Sequence, residues 1–297
     1  MAKISVIGAG KWGSALFDAL SVDNECVITS RMPRKIKNFV SLDEALNSQY
    51  LVFSLSAQIT HEWLKKNFVN KGQKVVVASK GIDAKTTKFM HEIFSEFVSI
   101  ENLATISGPS FATEVLQKLP CAIVISSINQ SFAKEFASFF PNYIKAYSSD
   151  DVIGAEICGS YKNVIAIASG ACDGLGLGNN ARASLISRGL VEINRFGKFF
   201  GAKDETFLGL SGAGDLFLTA SSSMSRNYRV GHELAKGRNL VDILDELGEV
   251  AEGVLTSKAI LKIAKKHQIY TPIADEVAAI MDGKSLKDTM NDLLRQK

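Results

Sequence analysis

One stretch near the start of the chain constrains its fold more than any other. An apolar, β-branched run at positions 3–7 leads directly into a turn built on Gly8, Gly10 and Gly13, and a helix-compatible segment follows. In such a unit the first glycine allows a sharp bend, the second lets backbone N–H groups approach a pyrophosphate, and the third lets helix and strand pack closely. The helix amino terminus adds partial positive charge. The pattern predicts a dinucleotide-binding turn rather than a secretory signal peptide, since the glycines and Lys11 interrupt the apolar run.

Composition places the chain among soluble globular proteins of about two domains. It has 297 residues, of which 46% are hydrophobic and 22% charged, and no apolar stretch reaches the ~18 residues needed to cross a bilayer. The net charge of +3 is too small to indicate nucleic-acid binding. The four cysteines show no metal-ligand spacing and are too few for a disulfide scaffold. We therefore expect a cytoplasmic protein with no metal and no membrane span.

The segment after the second predicted strand, at positions 25–29, bears on cofactor choice. In a dinucleotide fold an acid usually stands there to bind the ribose 2′-hydroxyl of NAD. Here the strand is followed by Arg31 and Arg34 and by no carboxylate. Arginines at this place suit the 2′-phosphate of NADP. NADP is therefore favoured, with NAD as an alternative cofactor, and the other interpretation is that both arginines are solvated loop charges.

Apolar strand-like runs recur through the first half and alternate with helical segments such as 57–68 and 84–97. This alternation predicts a mostly parallel, doubly wound sheet whose ligand lies at the carboxyl ends of the strands. Two segments fall at such ends: Ala78 to Ile82, which carries Lys80, and Ser107 to Ala112, in which Ser110 can cap a helix and donate a hydroxyl. Each is either a structural turn or part of the site.

The pattern changes near residue 149, beyond which helical periods are broken by glycine loops and no alternating strands stand out. We expect a dinucleotide-binding domain over residues 1–148 and an all-helical substrate domain over 149–297. In the first helix of the second half, Lys162 has only small neighbours on its helical face. A lysine with such neighbours can lose part of its hydration, which favours acid–base work, although most helix lysines are solvated.

Two later segments are further candidates. Asp215 stands at a glycine-rich helix start, where it either caps the helix or pairs with Lys162. Ser225, Arg226 and Asn227 precede a helix that should end near Gly237. A helix amino terminus with a guanidinium suits a phosphate, and an ordinary cap followed by surface residues is the alternative.

A dinucleotide site joined to a second domain predicts hydride transfer, which needs a proton donor for the carbonyl oxygen. The four histidines lie in charged or helix-end surroundings, and we expect them to be exposed helix residues. Lys162 is then the candidate acid, and Lys80 beside it would stabilise the developing oxyanion. This hypothesis requires the Lys162 amine to face the nicotinamide end of the cofactor.

Several motifs together resemble the NAD(P)-dependent glycerol-3-phosphate dehydrogenases of the bacterial soluble type. They occur in order over nearly the whole chain: GAGKWG, ASKG, GPSFA, EICGSYKNVIAIASG, NNARASLISRG, TFLGLSGAGD, SRNYRVG and VAEGV. The resemblance implies a Rossmann domain followed by an all-α domain. It also implies reversible reduction of dihydroxyacetone phosphate to sn-glycerol 3-phosphate, which supplies phospholipid synthesis.

The resemblance assigns roles to individual residues. Lys162 would be the catalytic acid and base, supported by Lys80 and Asp215. The substrate would be bound by Lys80, Gly108, Ser110, Lys162, Asn163, Asp215, Ser225, Arg226 and Asn227, with Arg226 and Asn227 on its phosphate. The cofactor would lie along Gly8, Gly10, Lys11, Trp12, Gly13, Arg31, Arg34, Lys80, Ala112, Arg226, Val250 and Glu252. The chain departs from the family in a short segment 31–49 and in Ser54-Leu55-Ser56, where a proline-containing turn is usual, and both departures concern the adenosine end.

Two other classes compete with this interpretation. A 3-hydroxyacid or 6-phosphogluconate type dehydrogenase resembles the architecture and also uses a helix-borne lysine, but a sugar acid would need a second cationic cluster. A cofactor-sensing repressor would need a basic recognition helix, which the sequence lacks. The expected partner is thus a small phosphorylated substrate and not nucleic acid, and a homodimer is compatible with this prediction.

Overall fold

A computed structural model of the chain describes residues 1–248 and 251–295. The backbone divides into two compact units, one of residues 1–80 and 89–156 and the other of residues 81–88 and 157–297. The predicted domain boundary at 148/149 stays a prediction.

The first unit is built on a seven-stranded sheet. Its strands are β1 Lys3–Ile7, β2 Glu25–Thr29, β3 Tyr50–Phe53, β4 Lys74–Val77, β5 Leu103–Ser107, β6 Cys121–Ser126 and β7 Ile144–Ser149. Their order is β2-β1-β3-β4-β5-β6-β7. All neighbours pair in parallel except β5 and β6, which are antiparallel. The predicted mostly parallel, doubly wound sheet is confirmed.

Helices cover both faces of this sheet because its strands are apolar on both sides. Along β3, Tyr50 and Val52 belong to the core on one face, and Leu51 and Phe53 to the core on the other. The helices of this part are α1 Lys11–Leu20, α2 Leu42–Ala45, α3 Ala57–Asn67, α4 Met90–Phe94, α5 Ala112–Leu116 and α6 Gln130–Ala137. Strand order reverses between β1 and β3, and in such sheets a ligand binds at the carboxyl ends beside that point.

The predicted helix over 84–97 is wrong in its first half, because only α4 is α-helical there. The Asp83 carboxylate accepts hydrogen bonds from the backbone N–H groups of Lys85 (2.7 Å) and Thr86 (3.2 Å). This local turn competes with helix formation. Thr87 then adopts a positive φ of 60°, and an α-helix cannot continue through this conformation.

The second half is helical throughout the residues that the structure describes, as predicted. Its helices are α7 Val152–Gly174, α8 Gly178–Phe199, α9 Asp204–Leu208, α10 Asp215–Ala220, α11 Arg226–Ala235, α12 Leu240–Leu247, α13 Glu252–His267, α14 Pro272–Met281 and α15 Leu286–Arg295. Every residue of α7 from 154 to 172 is buried, so other elements surround this helix. None of the helices described combines the length and apolar character of a membrane span.

Candidate active site

The glycine turn connects β1 to α1 as the sequence predicts. Gly8 has a φ of +112°, which L side chains rarely adopt, and a Cβ there would overlap the Ser54 carbonyl oxygen. A Cβ at Gly13 would overlap the Gly8 carbonyl, whereas a Cβ at Gly10 would meet nothing within 4 Å. The first and third glycines are therefore required by close packing, and the second leaves the backbone accessible to a ligand.

Two further predicted cofactor residues lie beside this turn. Trp12 on α1 and Ala112 at the start of α5 pack against the same hydrophobic core. The Trp12 indole nitrogen is buried and has no hydrogen-bond partner among the residues that the structure describes. A buried donor without an acceptor is rare and costly, so this one fits a bound polar ligand. Lys11 is exposed at the first position of α1.

Arg31 and Arg34 are exposed on the loop after β2. The end of that strand is held beside the glycine turn, because the Gly8 N–H donates to the Thr29 carbonyl at 2.9 Å. Neither arginine forms an ion pair with any residue the structure describes. Both cations are thus presented to solvent on the β2 side of the turn.

Three predicted substrate residues converge in the first unit. Lys80, three residues after β4, donates from Nζ to the Gly108 carbonyl oxygen at 3.3 Å, and the Ser110 hydroxyl donates to the same oxygen at 3.2 Å. Gly108 follows β5 with a φ of +104°. The prediction that Ser110 caps a helix is wrong, since Phe111 is the N-cap of α5 and makes no side-chain capping bond. Ser110 serves instead as a hydroxyl beside Lys80.

In the second unit, Lys162 is buried in α7 with 6% of its surface exposed. Its Nζ donates to Asp215 Oδ1 and, at 2.9 Å, to Thr219 Oγ1. Asp215 is the first residue of α10 and is 1% exposed. Of the two roles considered for Asp215, the structure shows the ion pair with Lys162. Two acceptors fix the direction of the amine, and a buried pair of this kind is costly to break.

A π-helical turn, Leu210–Gly214, places Asp215 where it can reach α7. A Cβ at Gly212 would overlap the Phe207 carbonyl, so the turn requires glycine there. Thr219 was not among the predicted site residues. Its signal in the sequence was its place one helical turn after Asp215, which puts both side chains on one face of α10.

The segment Ser225 to Asn227 begins α11, as predicted. The Ser225 hydroxyl accepts from the Tyr228 N–H at 3.3 Å and so caps the helix. Arg226 is exposed, while Asn227 is buried with its Oδ1 accepting from the Gly253 N–H at 3.0 Å. Asn163, next to Lys162, is also buried and donates to the Gly159 carbonyl at 3.3 Å.

Close packing fixes α11 against α7. A Cβ at Gly231 on α11 would overlap the Ile167 carbonyl, and a Cβ at Gly170 on α7 would overlap the Tyr228 carbonyl. The two backbones thus touch at both glycines. This contact fixes the start of α11, with Arg226 and Asn227, relative to Lys162. Glu252 is the first residue of α13, and Val250 lies outside the residues that the structure describes.

The prediction that the histidines are exposed is wrong. His61 is buried, and the other three are half-buried. His61 contacts the Glu96 carboxylate at 3.0 Å and His91 contacts the Glu156 carboxylate at 2.7 Å. Carboxylate partners on other elements, which spacing does not reveal, account for these two positions.

A buried carboxylate next to the Lys162 helix was also missed. Glu192 on α8 accepts from the Tyr161 hydroxyl at 2.8 Å and from the N–H groups of Ile273 (2.8 Å) and Ala274 (2.9 Å). Burial raises the pKa of Glu192 above its ordinary value, although these hydrogen bonds oppose the change. The carboxylate links α7 and α8 to the start of α14 and so stabilises the packing of these three helices. Among the described residues, no group of three or more His, Cys, Asp or Glu side chains could hold a metal ion.

Comparison with protein families gives two matches that together span most of the chain. Residues 23–133 match the model of the NAD-dependent glycerol-3-phosphate dehydrogenase N-terminus, and residues 151–291 match that of the C-terminus.

Individual proteins are similar over the full length. A glycerol-3-phosphate dehydrogenase [NAD(P)+] of Campylobacter lari is 65% identical over 295 residues, covering 99% of this chain and 98% of its own. One from Sulfurimonas denitrificans is 59% identical over 283 residues, covering 95% and 96%. The crystal structure of glycerol-3-phosphate dehydrogenase from Coxiella burnetii superposes with a TM-score of 0.92 at 31% identity and covers 99% of both chains.

Proposed function

The chain belongs to the NAD-dependent glycerol-3-phosphate dehydrogenase family, and from this membership we propose that it interconverts dihydroxyacetone phosphate and sn-glycerol 3-phosphate with NAD(P)H, supplying phospholipid synthesis. The observation that carries the proposal is the similarity to glycerol-3-phosphate dehydrogenases over 99% of the chain. The buried Lys162–Asp215 pair supports it, because reduction of a ketone needs an oriented proton donor.

The residues of the glycine turn fit a nicotinamide dinucleotide. Gly10 leaves room for a pyrophosphate, and the Trp12 indole offers a donor that has no acceptor in the described part of the chain. Gly8, Gly10, Lys11, Trp12, Gly13 and Ala112 would hold the cofactor, with Lys80, Arg226, Val250 and Glu252 along its length. When bound, the cofactor supplies the hydride that adds to the carbonyl carbon.

Lys162 is the proposed acid. As the C2 carbonyl becomes an alkoxide, the Lys162 ammonium donates a proton to its oxygen, giving the secondary alcohol, and the neutral amine regains a proton from solvent. In the reverse direction the neutral amine takes the hydroxyl proton. Asp215 and Thr219 orient the amine.

The remaining residues bind the substrate. Lys80 supplies positive charge for the developing oxyanion, with Ser110 and Gly108 beside it. Arg226 and Asn227 hold the phosphate at the start of α11, where helix N–H groups also suit an anion. Ser225 caps that helix, and Asn163 supports the substrate hydroxyls next to Lys162.

A spectrophotometric assay tests the proposal. Purified protein should oxidise NADPH or NADH when dihydroxyacetone phosphate is added, and should show at most weak activity with 3-oxo acids or 6-phosphogluconate. Turnover of the acids alone would contradict the proposal and favour the competing dehydrogenase class. Cofactor binding with no carbonyl turnover would favour a cofactor-sensing protein.

We further propose a preference for NADP, supported by the two exposed cations after β2. The measurement is kcat/KM for NADPH and NADH in wild type and in the Arg31→Ala, Arg34→Ala double variant. Loss of a charge-assisted phosphate contact should lower the NADPH value on the order of tenfold and leave the NADH value nearly unchanged. Equal values in the wild type would refute the preference.

A cytoplasmic location and a homodimer complete the proposal. None of the four cysteines forms a disulfide in the part of the chain that the structure describes, which suits a reducing compartment. Light scattering coupled to gel filtration tests the dimer, and a mass near 32.2 kDa, that of one chain, would contradict it.

A further inference from the structure

Helix α13 receives its amino-terminal cap from another helix. Its N-cap residue, Ala251, has no side chain that could accept a hydrogen bond. The second residue of the helix, Gly253, donates its backbone N–H to Asn227 Oδ1 on α11 at 3.0 Å. A side chain of α11 thus satisfies a donor that the helix itself cannot satisfy.

This hydrogen bond determines which end of the Asn227 amide is available to a ligand. A backbone N–H can only donate, so the amide oxygen must face Gly253 and the NH2 group must point elsewhere. Within the residues that the structure describes, the Asn227 NH2 group donates to no protein atom, and the side chain keeps 7% of its surface exposed. The amide therefore presents donors, which phosphate oxygens require.

Only glycine fits between the partners of this contact. A Cβ at position 253 would lie 2.7 Å from the Asn163 carbonyl oxygen and 2.8 Å from Asn227 Oδ1. The carbonyl belongs to the backbone of buried helix α7 and cannot yield easily. A methyl group would instead move Asn227 or lift the start of α13, and either change lengthens the hydrogen bond.

We propose that Gly253 is a positioning residue that keeps Asn227 oriented as a hydrogen-bond donor toward the substrate phosphate, and thereby selects phosphorylated over unphosphorylated substrate. The proposal rests on the proposed function, in which Asn227 binds the phosphate. Gly253 acts through Asn227 and through the three-helix contact of α7, α11 and α13, and it touches no reacting atom.

The test compares Gly253→Ala with Gly189→Ala. Gly189→Ala is the control: it adds a methyl group at another contact with α7, 2.7 Å from the Ile165 side chain, and should lower Tm without changing KM. In Gly253→Ala, KM for dihydroxyacetone phosphate should rise about tenfold, as for loss of one charge-assisted hydrogen bond, with kcat within about threefold. The kcat/KM for unphosphorylated dihydroxyacetone should stay within about twofold of wild type. An equal loss with both substrates would overturn the proposal.

Two further measurements keep the outcome independent of folding and of turnover. Asn227→Asp retains an acceptor for the Gly253 N–H but replaces the NH2 group with an acceptor, so we expect a near-native Tm and at least a tenfold rise in KM. Inorganic phosphate should raise Tm of wild type and Gly189→Ala, and in Gly253→Ala about ten times more phosphate should be needed. If wild type fails to reduce dihydroxyacetone phosphate, the proposed function fails. An unchanged phosphate response in Gly253→Ala would refute this inference separately.

Discussion

At the scale of single residues, the pair formed by Lys162 and Asp215 makes the sharpest prediction. Lys162→Ala removes the proposed proton donor, so kcat should fall by a factor on the order of 10² or more. The substitution also leaves Asp215 buried without its partner, which lowers stability. Lys162→Arg keeps a cation beside Asp215, and should retain more stability while still losing kcat, because a guanidinium is a poor acid. Near-native kcat in a folded Lys162→Ala protein would remove Lys162 from the mechanism.

Arg226 makes a second prediction at this scale. The guanidinium is exposed at the first position of α11. Arg226→Ala should raise KM for dihydroxyacetone phosphate on the order of tenfold or more with little change in Tm, because a charged phosphate contact is lost. Arg229→Ala, one turn further along the same exposed surface, is the matched control and should leave KM unchanged. Equal KM values for the two variants would argue against a phosphate role for Arg226.

How far a residue could be predicted from sequence depended on where its partners lie. Lys162 could be singled out because its neighbours on the helix are small, and Lys80 and Ser110 because both follow a strand. Thr219 and Gly253 were missed because their importance comes from contacts with α7 and α11, which spacing along the chain does not encode. The roles assigned to the site residues stay predictions that the kinetics above test.

At the scale of elements, the contact between α7 and α11 should govern both stability and substrate binding. Gly231→Ala would drive a methyl group into the Ile167 carbonyl, which belongs to a backbone buried on all sides. We expect a loss of about 1–3 kcal/mol in the free energy of unfolding, as for other overpacked cores. KM should also rise, because the start of α11 moves. Gly189→Ala, which meets the end of a side chain instead of a carbonyl, should cost less, and denaturant titration of both variants measures the difference.

Elements whose apolar residues recur with a regular period could be predicted from the sequence. Segments in which a side chain stabilises a competing local turn could not. The strands could be predicted because buried parallel strands are short apolar runs in the sequence. The segment before α4 has helical periodicity, yet the Asp83 carboxylate caps a turn there and prevents the helix. The π turn before Asp215 could be seen only as a glycine-rich loop, since its geometry depends on contact with the Phe207 carbonyl.

At the scale of the whole molecule, the order of strands and helices along the chain was the most informative feature for predicting the fold class. Alternating strands and helices followed by helices alone are compatible with few architectures, which is why the fold class was predictable. The antiparallel pairing of β5 and β6 was not, because both strands are short, largely apolar runs like their parallel neighbours. That the Lys162 amine faces the nicotinamide end of the cofactor stays a prediction, which the Lys162 variants test.

The stability of the molecule should depend on pH through His91. Its ring and its backbone N–H both bond to the Glu156 carboxylate, at 2.7 Å and 2.9 Å. Burial lowers the pKa of His91, but the hydrogen bond and charge of Glu156, with a smaller effect of Glu92, outweigh it and leave the pKa above its ordinary value of 6.5. The folded protein then binds a proton that the unfolded chain releases. The stabilisation is complete below pH 6.5 and is lost as pH rises through the folded pKa.

This difference can be measured as the urea midpoint at about pH 6 and about pH 9, on either side of the ordinary histidine pKa. The wild-type midpoint should fall over that interval by more than that of His91→Gln, which cannot take up the proton. His267→Gln is the control, since that ring packs on Phe199 at a centroid distance of 4.9 Å and makes no ion pair with the part of the chain described. It should show the wild-type dependence. Removal of the titrating ring must flatten the dependence of the free energy of unfolding on pH by up to about 1.4 kcal/mol per pH unit. If His91→Gln loses as much stability as wild type between the two pH values, Glu156 does not hold the proton on His91.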